Sequence, residues 1–215
     1  MNAILIETSG MVCSAALVKN GTITAMKQAD EPMQHATFLP QFIQQFMEKG
    51  IKIDVVAISG GPGSYTGLRI GASTAKGLCY ATGAKLIAVN TLELIAAETI
   101  ATHKTKGTVI AMIDARRMEA YVQPFGTDNT PLTEPEAKVL DNNSFNEYGQ
   151  EIVLCGSGAE KCRGMIRNAT IHSDVNPIAN DRMLTLVEKA FVAGRFEDVA
   201  YYEPFYLKEF YTNAK

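Results

Sequence analysis

The chain reads as an α/β protein of two similar lobes facing a cleft, and three observations lead there. An opening meander of short apolar runs gives way to alternating strands and helices. The same order restarts after residue 105. Each half ends its first strand on a carboxylate, Glu7 or Asp114, and later carries a strand, a glycine turn and a helix in succession. The expected division is 1–105 and 106–215. Strand–turn–helix units recur in any α/β protein, so the order alone leaves duplication and coincidence both open. A length of 215 residues suits one large domain or two small lobes. With 47% apolar and 20% charged residues the chain can bury a real core, and disorder is expected only in the last few positions.

The elements follow in order. Ala3 to Glu7, Ser14 to Lys19 and Thr22 to Ala29 are strand-like runs, and Asn20-Gly21 between the last two favours the positive backbone angles of a tight hairpin. Phe38, Leu39, Phe42, Ile43, Phe46 and Met47 form a double apolar stripe on one helix face, ending near Gly50. Asp54 to Ser59 is a buried-type strand. The turn Gly60-Gly61-Pro62-Gly63-Ser64 leads from it into a helix from about Thr66 to Thr82. Lys85 to Asn90 is a strand, and Asn90-x-x-Glu93 resembles a capping box for a helix through His103. In the second half Thr108 to Asp114 and Glu119 to Phe125 are strands, followed by a loop from Gly126 to Pro135. Ile152 to Cys155 then runs into Gly156-Ser157-Gly158 and a short helix. An amphipathic helix from about Arg182 to Phe196 precedes an aromatic tail at 201–207, which is expected to pack against a lobe rather than stack bases.

Composition excludes several classes. The net charge of −3, with no run of five like charges, argues against a broad polycationic surface. Cys13, Cys79, Cys155 and Cys162 include no C-x-x-C pair and read as reduced, packed thiols. The first residues lack a basic segment and a cleavage site, and no apolar stretch reaches 18 residues, so a cytoplasmic location is expected.

The most informative stretch is Ser59 to Gly71. It is not a P-loop, because the residues five after Gly61 and Gly63 are Thr66 and Leu68 rather than a glycine followed by Lys, and it fails the dinucleotide fingerprint as well. A helix start with backbone donors still suits an anion, and Arg69 is the cation nearby, while a tight crossover explains the same glycines without a ligand. Gly67, Gly71 and Ala75, four apart, make a ridge of minimal side chains, with Cys79 extending it. Either the protein's own sheet or another chain's helix lies against that ridge. The neighbouring aromatic stripe favours another chain. Metal and nucleophile motifs are absent: His35, His103 and His172 are scattered, position 39 is Leu, and neither H-E-x-x-H nor G-x-S-x-G occurs. Glu7 and Asp114 suit either a magnesium-bound nucleotide or turn donors. Arg116 and Arg117 beside Asp114 suit an ion pair, a partner contact or a phosphate pocket.

Gly61-Pro62-Gly63-Ser64-Tyr65-Thr66-Gly67-Leu68-Arg69-Ile70-Gly71 resembles the signature of the TsaB (YeaZ) family of bacterial tRNA-modification proteins, with Tyr65 in place of the usual phenylalanine. Ile4 to Ser9, His35 to Pro40, Val89 to Leu92, Ile113 to Arg116, Gly156 to Ala159 and Pro204-x-Tyr206-Leu207 resemble it too. The resemblance implies an actin-like, ribonuclease-H-type duplicated fold. It also implies a noncatalytic scaffold in the transfer of threonylcarbamoyl to the adenosine next to the tRNA anticodon. The implied partners are a catalytic TsaD-type sister and a TsaE-type ATPase, with a homodimer when alone, tRNA met only through the complex, and no membrane.

Pairing through the first two helices makes Phe38, Leu39, Phe42, Ile43, Phe46, Gly67, Leu68, Gly71 and Ala75 the expected interface. Glu7, Gly61, Gly63, Ser64, Arg69, Asp114 and Arg116 are the candidate phosphate contacts. No catalytic residue, metal ligand or intrinsic cofactor is expected, the place left for ATP or ADP with magnesium being the partner interface. Where the sister holds its metal with two histidines four apart, this chain has His35 and Leu39, and where the family commonly has Asp it has Glu7. The short second lobe fits a reduced ATPase half. The alternative reading is a stand-alone ATP-dependent acyltransferase or glycoprotease-like hydrolase.

Overall fold

Two five-stranded mixed sheets with one shared strand order frame this computed structural model, which describes residues 1–29, 31, 34–149 and 151–208. The first sheet contains β1 (Ala3–Glu7), β2 (Ser14–Lys19), β3 (Thr22–Gln28), β4 (Val55–Gly61) and β5 (Lys85–Asn90), in the order β3-β2-β1-β4-β5. The second contains β6 (Thr108–Asp114), β7 (Glu119–Phe125), β8 (Glu136–Val139), β9 (Ile152–Cys155) and β10 (Ala169–His172). Counted from β8, its order is β8-β7-β6-β9-β10. In each sheet the first three strands in sequence pair antiparallel, and the last two add in parallel on the other side of the first. The same topology twice is the two-lobed actin-like arrangement.

Strand periodicity explains why β1 and β4 are buried along their whole length. Ile4, Ile6, Val56 and Ile58 point to one face, where they meet Leu39, Phe42 and Phe46 of α1 (His35–Met47) and Ala75 and Cys79 of α2 (Tyr65–Thr82). Ala3, Leu5, Val55 and Ala57 point to the other, onto Met183, Leu186 and Val187 of α4 (Asp181–Val192). Each of those large apolar side chains contributes about 1.5–3 kcal/mol when fully buried. The hairpin at Asn20-Gly21 has φ of 52° and 78°, the mirror-image turn that the dipeptide favours. α2 stops at Gly83, φ 73°, in a left-handed C-cap. α3 (Thr91–His103) starts at Asn90, whose side chain accepts from the Leu92 amide at 2.8 Å.

Several expectations need correction. β8 and β10 were not legible; both are four-residue edge strands with weak alternation. In the second lobe the counterparts of α1 and α2 shrink to single 3-10 turns, Asn146–Tyr148 and Ala159–Cys162. The last helix ends at Val192, short of Phe196, because the chain reverses at Gly194, φ 67°, and folds Phe196 edge-on against Phe191 at 5.7 Å. The cores also cross the 105/106 division. α3 packs Leu92, Ile95 and Ala96 on Val109, Ala111 and Val153 of the second sheet, while α4 returns to the first sheet. A helix following the last strand of one sheet reaches the other sheet's open face before its own, so the lobes interlock. The expectation of disorder in the last few residues falls outside the described residues.

Candidate functional site

The turn between β1 and β2 is the centre on which the glycine-rich segment closes. Glu7 at the end of β1 is 0% exposed. One carboxylate oxygen accepts from the Ser9 amide and the Ser9 hydroxyl, each at 2.6 Å, and the other accepts from the Ser59 hydroxyl. Burial pushes this carboxyl above its ordinary pKa, against hydrogen bonds from Ser59, Ser9 and the Gly10 backbone that favour the ion. Its oxygens are used inside the protein and face no solvent, so Glu7 cannot hold magnesium or a phosphate-bound cation. The expectation of a nucleotide contact at Glu7 is corrected: it is the turn-satisfying carboxylate of the simpler reading.

Thr8 and Ser9 then fill the glycine ridge. The Thr8 hydroxyl donates to the Gly67 carbonyl at 2.8 Å, and the Ser64 amide donates to the Ser9 carbonyl at 2.7 Å. A methyl group at Gly67 would strike the Thr8 carbonyl oxygen, one at Gly71 the Thr8 hydroxyl, and one at Gly63 the Ser9 carbonyl oxygen 2.6 Å away. Gly67, Leu68, Gly71 and Ala75 are buried within the monomer. Their assignment to a partner interface is therefore corrected: the backbone that approaches α2 closely belongs to this chain's own turn. The aromatic stripe is corrected likewise. Leu39, Phe42, Ile43 and Phe46 are buried in the first-lobe core, with Phe38 half-buried against it. The outward faces of the two helices carry Gln41, Gln44 and Gln45 on α1 and Arg69, Ser73, Gly77 and Tyr80 on α2, all exposed.

The chain following α4 closes the third side. The Glu197 amide donates to the Leu86 carbonyl at 2.9 Å and the Phe205 amide to the Gly60 carbonyl at 2.7 Å. Lys76 Nζ, from α2, donates to the carbonyls of Ala200 and Tyr202 at 3.0 and 3.2 Å. Gly61 has φ 111°, and a side chain there would meet the Phe205 carbonyl oxygen at 2.5 Å. Ser64 caps α2 by accepting from the Gly67 amide at 3.3 Å. The Arg69 guanidinium lies 4.8 Å from the centre of the Tyr65 ring, and Tyr206 packs on that ring from the tail at 5.1 Å. Gly61, Gly63 and Ser64 thus back onto protein, and the glycine turn is a close crossover covered by the tail. These residues do not fit a nucleotide phosphate.

Across the molecule, Asp114 ends β6 as Glu7 ends β1, but in a different setting. Its carboxylate accepts from the Arg116 amide at 2.6 Å and pairs with Lys161 at 2.5 Å, and its own amide donates to the Ser157 hydroxyl at 3.1 Å. Arg116 and Arg117 adopt left-handed φ of 69° and 48°, and both side chains are exposed. Lys161 also donates to the Glu119 carbonyl, while Lys208 pairs with the Glu119 carboxylate. Asp114 and Arg116 therefore belong to a turn held by the Asp114–Lys161 ion pair, whereas Glu7 is sealed among Ser9 and Ser59. Lys161, which binds both ends of that turn, was missed because a lone lysine in a short 3-10 turn carries no sequence signal.

His35 is buried, with Nε2 3.1 Å from the Gly10 carbonyl, a tie between α1 and the β1–β2 turn. Among the described residues no group of three or more His, Cys, Asp or Glu is placed to hold a metal ion. All four cysteines are free and buried, and burial raises the thiol of Cys155 to about 12 and those of Cys13, Cys79 and Cys162 to about 11. No helix among the described residues is long and apolar enough to cross a membrane.

Comparison with known proteins bears on the family and the fold. The family model described as TsaD, tRNA N6-adenosine threonylcarbamoyltransferase, matches residues 31–143, more than half of the chain. The tRNA threonylcarbamoyladenosine biosynthesis protein TsaB of Escherichia coli is 29% identical over 97% of this chain and 95% of its own length. The protein of the same name from Haemophilus influenzae is 30% identical over 56% of this chain, a match that spans about half (52%) of that relative. Among solved structures, YeaZ from Pseudomonas aeruginosa superposes with a TM-score of 0.83 over 96% of this chain and 99% of that one, at 24% identity, which speaks to the fold. The chain belongs to the TsaD family of tRNA N6-adenosine threonylcarbamoyltransferases and, matched almost end to end by its members, to the TsaB (YeaZ) branch.

Proposed function

We propose that this chain acts in tRNA threonylcarbamoyladenosine biosynthesis as a noncatalytic subunit that pairs with a TsaD-type transferase and works with a TsaE-type ATPase. The observation that carries the reading is that the residues expected to meet a nucleotide are turned inward: Glu7 is sealed by Ser9 and Ser59, and the tail is bonded to the glycine turn at Gly60. A family member whose Glu7 carboxylate and glycine turn are bonded into its own fold in this way contributes shape rather than chemistry. The second lobe points the same way, its first two helices reduced to single turns.

Pairing runs through the outward faces of α1 and α2 rather than through the buried ridge. Gly77, at an exposed position inside α2, supports this: a methyl group there would meet nothing within 4 Å, so the monomer has no use for its small size. Glycine in a helix interior costs about 1 kcal/mol relative to alanine, and close approach by a neighbouring helix offsets that cost. Alone, the chain self-pairs through the same face. The place left for ATP or ADP with magnesium is the interface with the partner, and tRNA reaches the assembly through the other subunits.

The experiment combines this chain with the TsaD-type and TsaE-type subunits of the same genome. It measures threonylcarbamoyladenosine formed on tRNA and association by sedimentation. The complete mixture makes product, omission of this chain removes most of it, and Gly77→Leu lowers both association and product while the lone variant melts cooperatively. Product formation by this chain alone, or full pairing by Gly77→Leu, overturns the reading.

A further inference from the structure

Between the ends of β4 and β5 and the segment that follows α4 lies an open cleft of about 590 Å³. Gly60, Gly61 and Ala88 to Asn90, at the ends of β4 and β5, line it. One wall is the 197–205 segment and the other is Glu134-Pro135, ahead of β8. The volume falls in the range of sites that enclose a ligand group. The wall is preformed rather than loose, since Lys76, Leu86 and Gly60 hold its backbone at four points.

Its chemistry is one-sided. Glu134, Glu197, Asp198 and Glu203 line it, and among the described residues no lysine, arginine or histidine does. Asp198 spends one oxygen on the amides of Ala200 and Tyr201, at 2.8 and 3.3 Å, whereas Glu134, Glu197 and Glu203 form no ion pair among the described residues. Lys76 holds the wall from behind and does not line the cleft. Carboxylates converging without a counter-ion repel one another, and the chain's net charge of −3 leaves no general acidity to explain the clustering. Aromatic surface stands beside them: Tyr201 is 85% exposed and Phe205 48% exposed. The Tyr202 hydroxyl, in the same wall, is enclosed and has no hydrogen-bond partner among the described residues. Flat rings next to several carboxylates are the combination a guanidinium satisfies best, stacking on the ring while its planar fork donates to the oxygens. The same carboxylates repel nucleic-acid phosphates.

We propose that this cleft receives an arginine side chain from a basic segment of a partner protein, with Tyr201 and Phe205 as the stacking surface and Glu197 and Glu203 as the acceptors. The cleft opens to solvent along one side, so the arginine enters while its own backbone stays outside. The proposal stands on the cleft's own lining and does not rest on pairing through α1 and α2.

The test titrates the isotope-labelled full chain with acetyl-Gly-Arg-Gly-amide and follows backbone amide resonances. Saturable shifts are expected at Gly60, Gly61, Tyr201 and Tyr202. The citrulline analogue, equal in shape and uncharged, should bind roughly tenfold more weakly or not at all. Glu197→Gln with Glu203→Gln should weaken the arginine peptide by a similar factor with unchanged melting, as both side chains are exposed. No saturable shift, an equal response to citrulline, shifts that map elsewhere, or indifference to the double variant each overturn the proposal. Spermidine competing more tightly than the peptide overturns the protein-partner assignment in favour of a free polyamine.

Discussion

Alanine scanning along a single helix tests the packing argument, because the structure predicts opposite signs for one chemical change. At Gly67 the added methyl group lands far inside the 3.0 Å that real Cβ atoms respect, against the Thr8 carbonyl oxygen. That oxygen cannot retreat freely. The Thr8 hydroxyl is bonded to the Gly67 carbonyl at 2.8 Å, the next carbonyl holds the Ser64 amide at 2.7 Å, and Thr8 is buried. Overpacking of about 1–3 kcal/mol and the loss of one or two hydrogen bonds of about 1 kcal/mol each outweigh the helix-propensity gain of about 1 kcal/mol. Gly67→Ala is therefore expected to lose about 1–4 kcal/mol net. At Gly77 nothing lies within 4 Å and the position is exposed, so Gly77→Ala keeps the whole gain of about 1 kcal/mol. For a chain of this size the pair should separate in Tm, with Gly67→Ala lower by about 2–16 °C and Gly77→Ala higher by about 2–4 °C. Thermal unfolding followed by circular dichroism, on dilute monomeric protein, reads both. A Gly67→Ala variant as stable as Gly77→Ala would mean that the ridge is not filled by the β1–β2 turn, and the reassignment of Gly67, Gly71 and Ala75 from interface to core would fail.

Two further outcomes follow from titrating groups. Burial raises the Glu7 pKa in the folded state, so the native protein binds more protons than the unfolded chain between the ordinary value of 4.5 and the raised one, and stability falls as pH rises through that window. Glu7→Gln should flatten this limb and leave the variant relatively more stable at neutral pH than at pH 4, read by denaturant unfolding across pH; an unchanged pH profile would show that Glu7 is not the sealed group described. His172 stacks on His103 with ring centres 3.6 Å apart, and burial together with the His103 charge holds its pKa down, with Asp174 opposing. Here the unfolded chain binds more protons below about 6.5, so the stability of the joint between α3 and β10 drops as pH falls from 6.5 through the lowered folded value. His172→Phe keeps a flat ring and should remove that acid-side slope, measured by amide hydrogen exchange at the C-terminal end of α3. An equal slope in the variant would place the titration elsewhere.

What the sequence determined by itself was everything that depends on near neighbours. Alternation of Ile4 and Ile6 with Ala3 and Leu5, the Asn20-Gly21 turn, the Gly83 cap and the Asn90 cap are set by backbone geometry within a few residues, and they placed most strands and helices. The repeat of order was equally legible and became the same sheet topology twice. The glycines of α2 announced a close approach. Which backbone approaches is a question of tertiary contact, since Thr8 lies 59 residues from Gly67, and a helix of another chain would ask for the same small side chains. For the same reason only the folded chain could show that Glu7 is enclosed by Ser59, that Asp114 answers to Lys161, and that α3 and α4 exchange sheets. The four carboxylates of the cleft come from segments more than sixty positions apart, so their shared field exists only once the tail has folded back across β5.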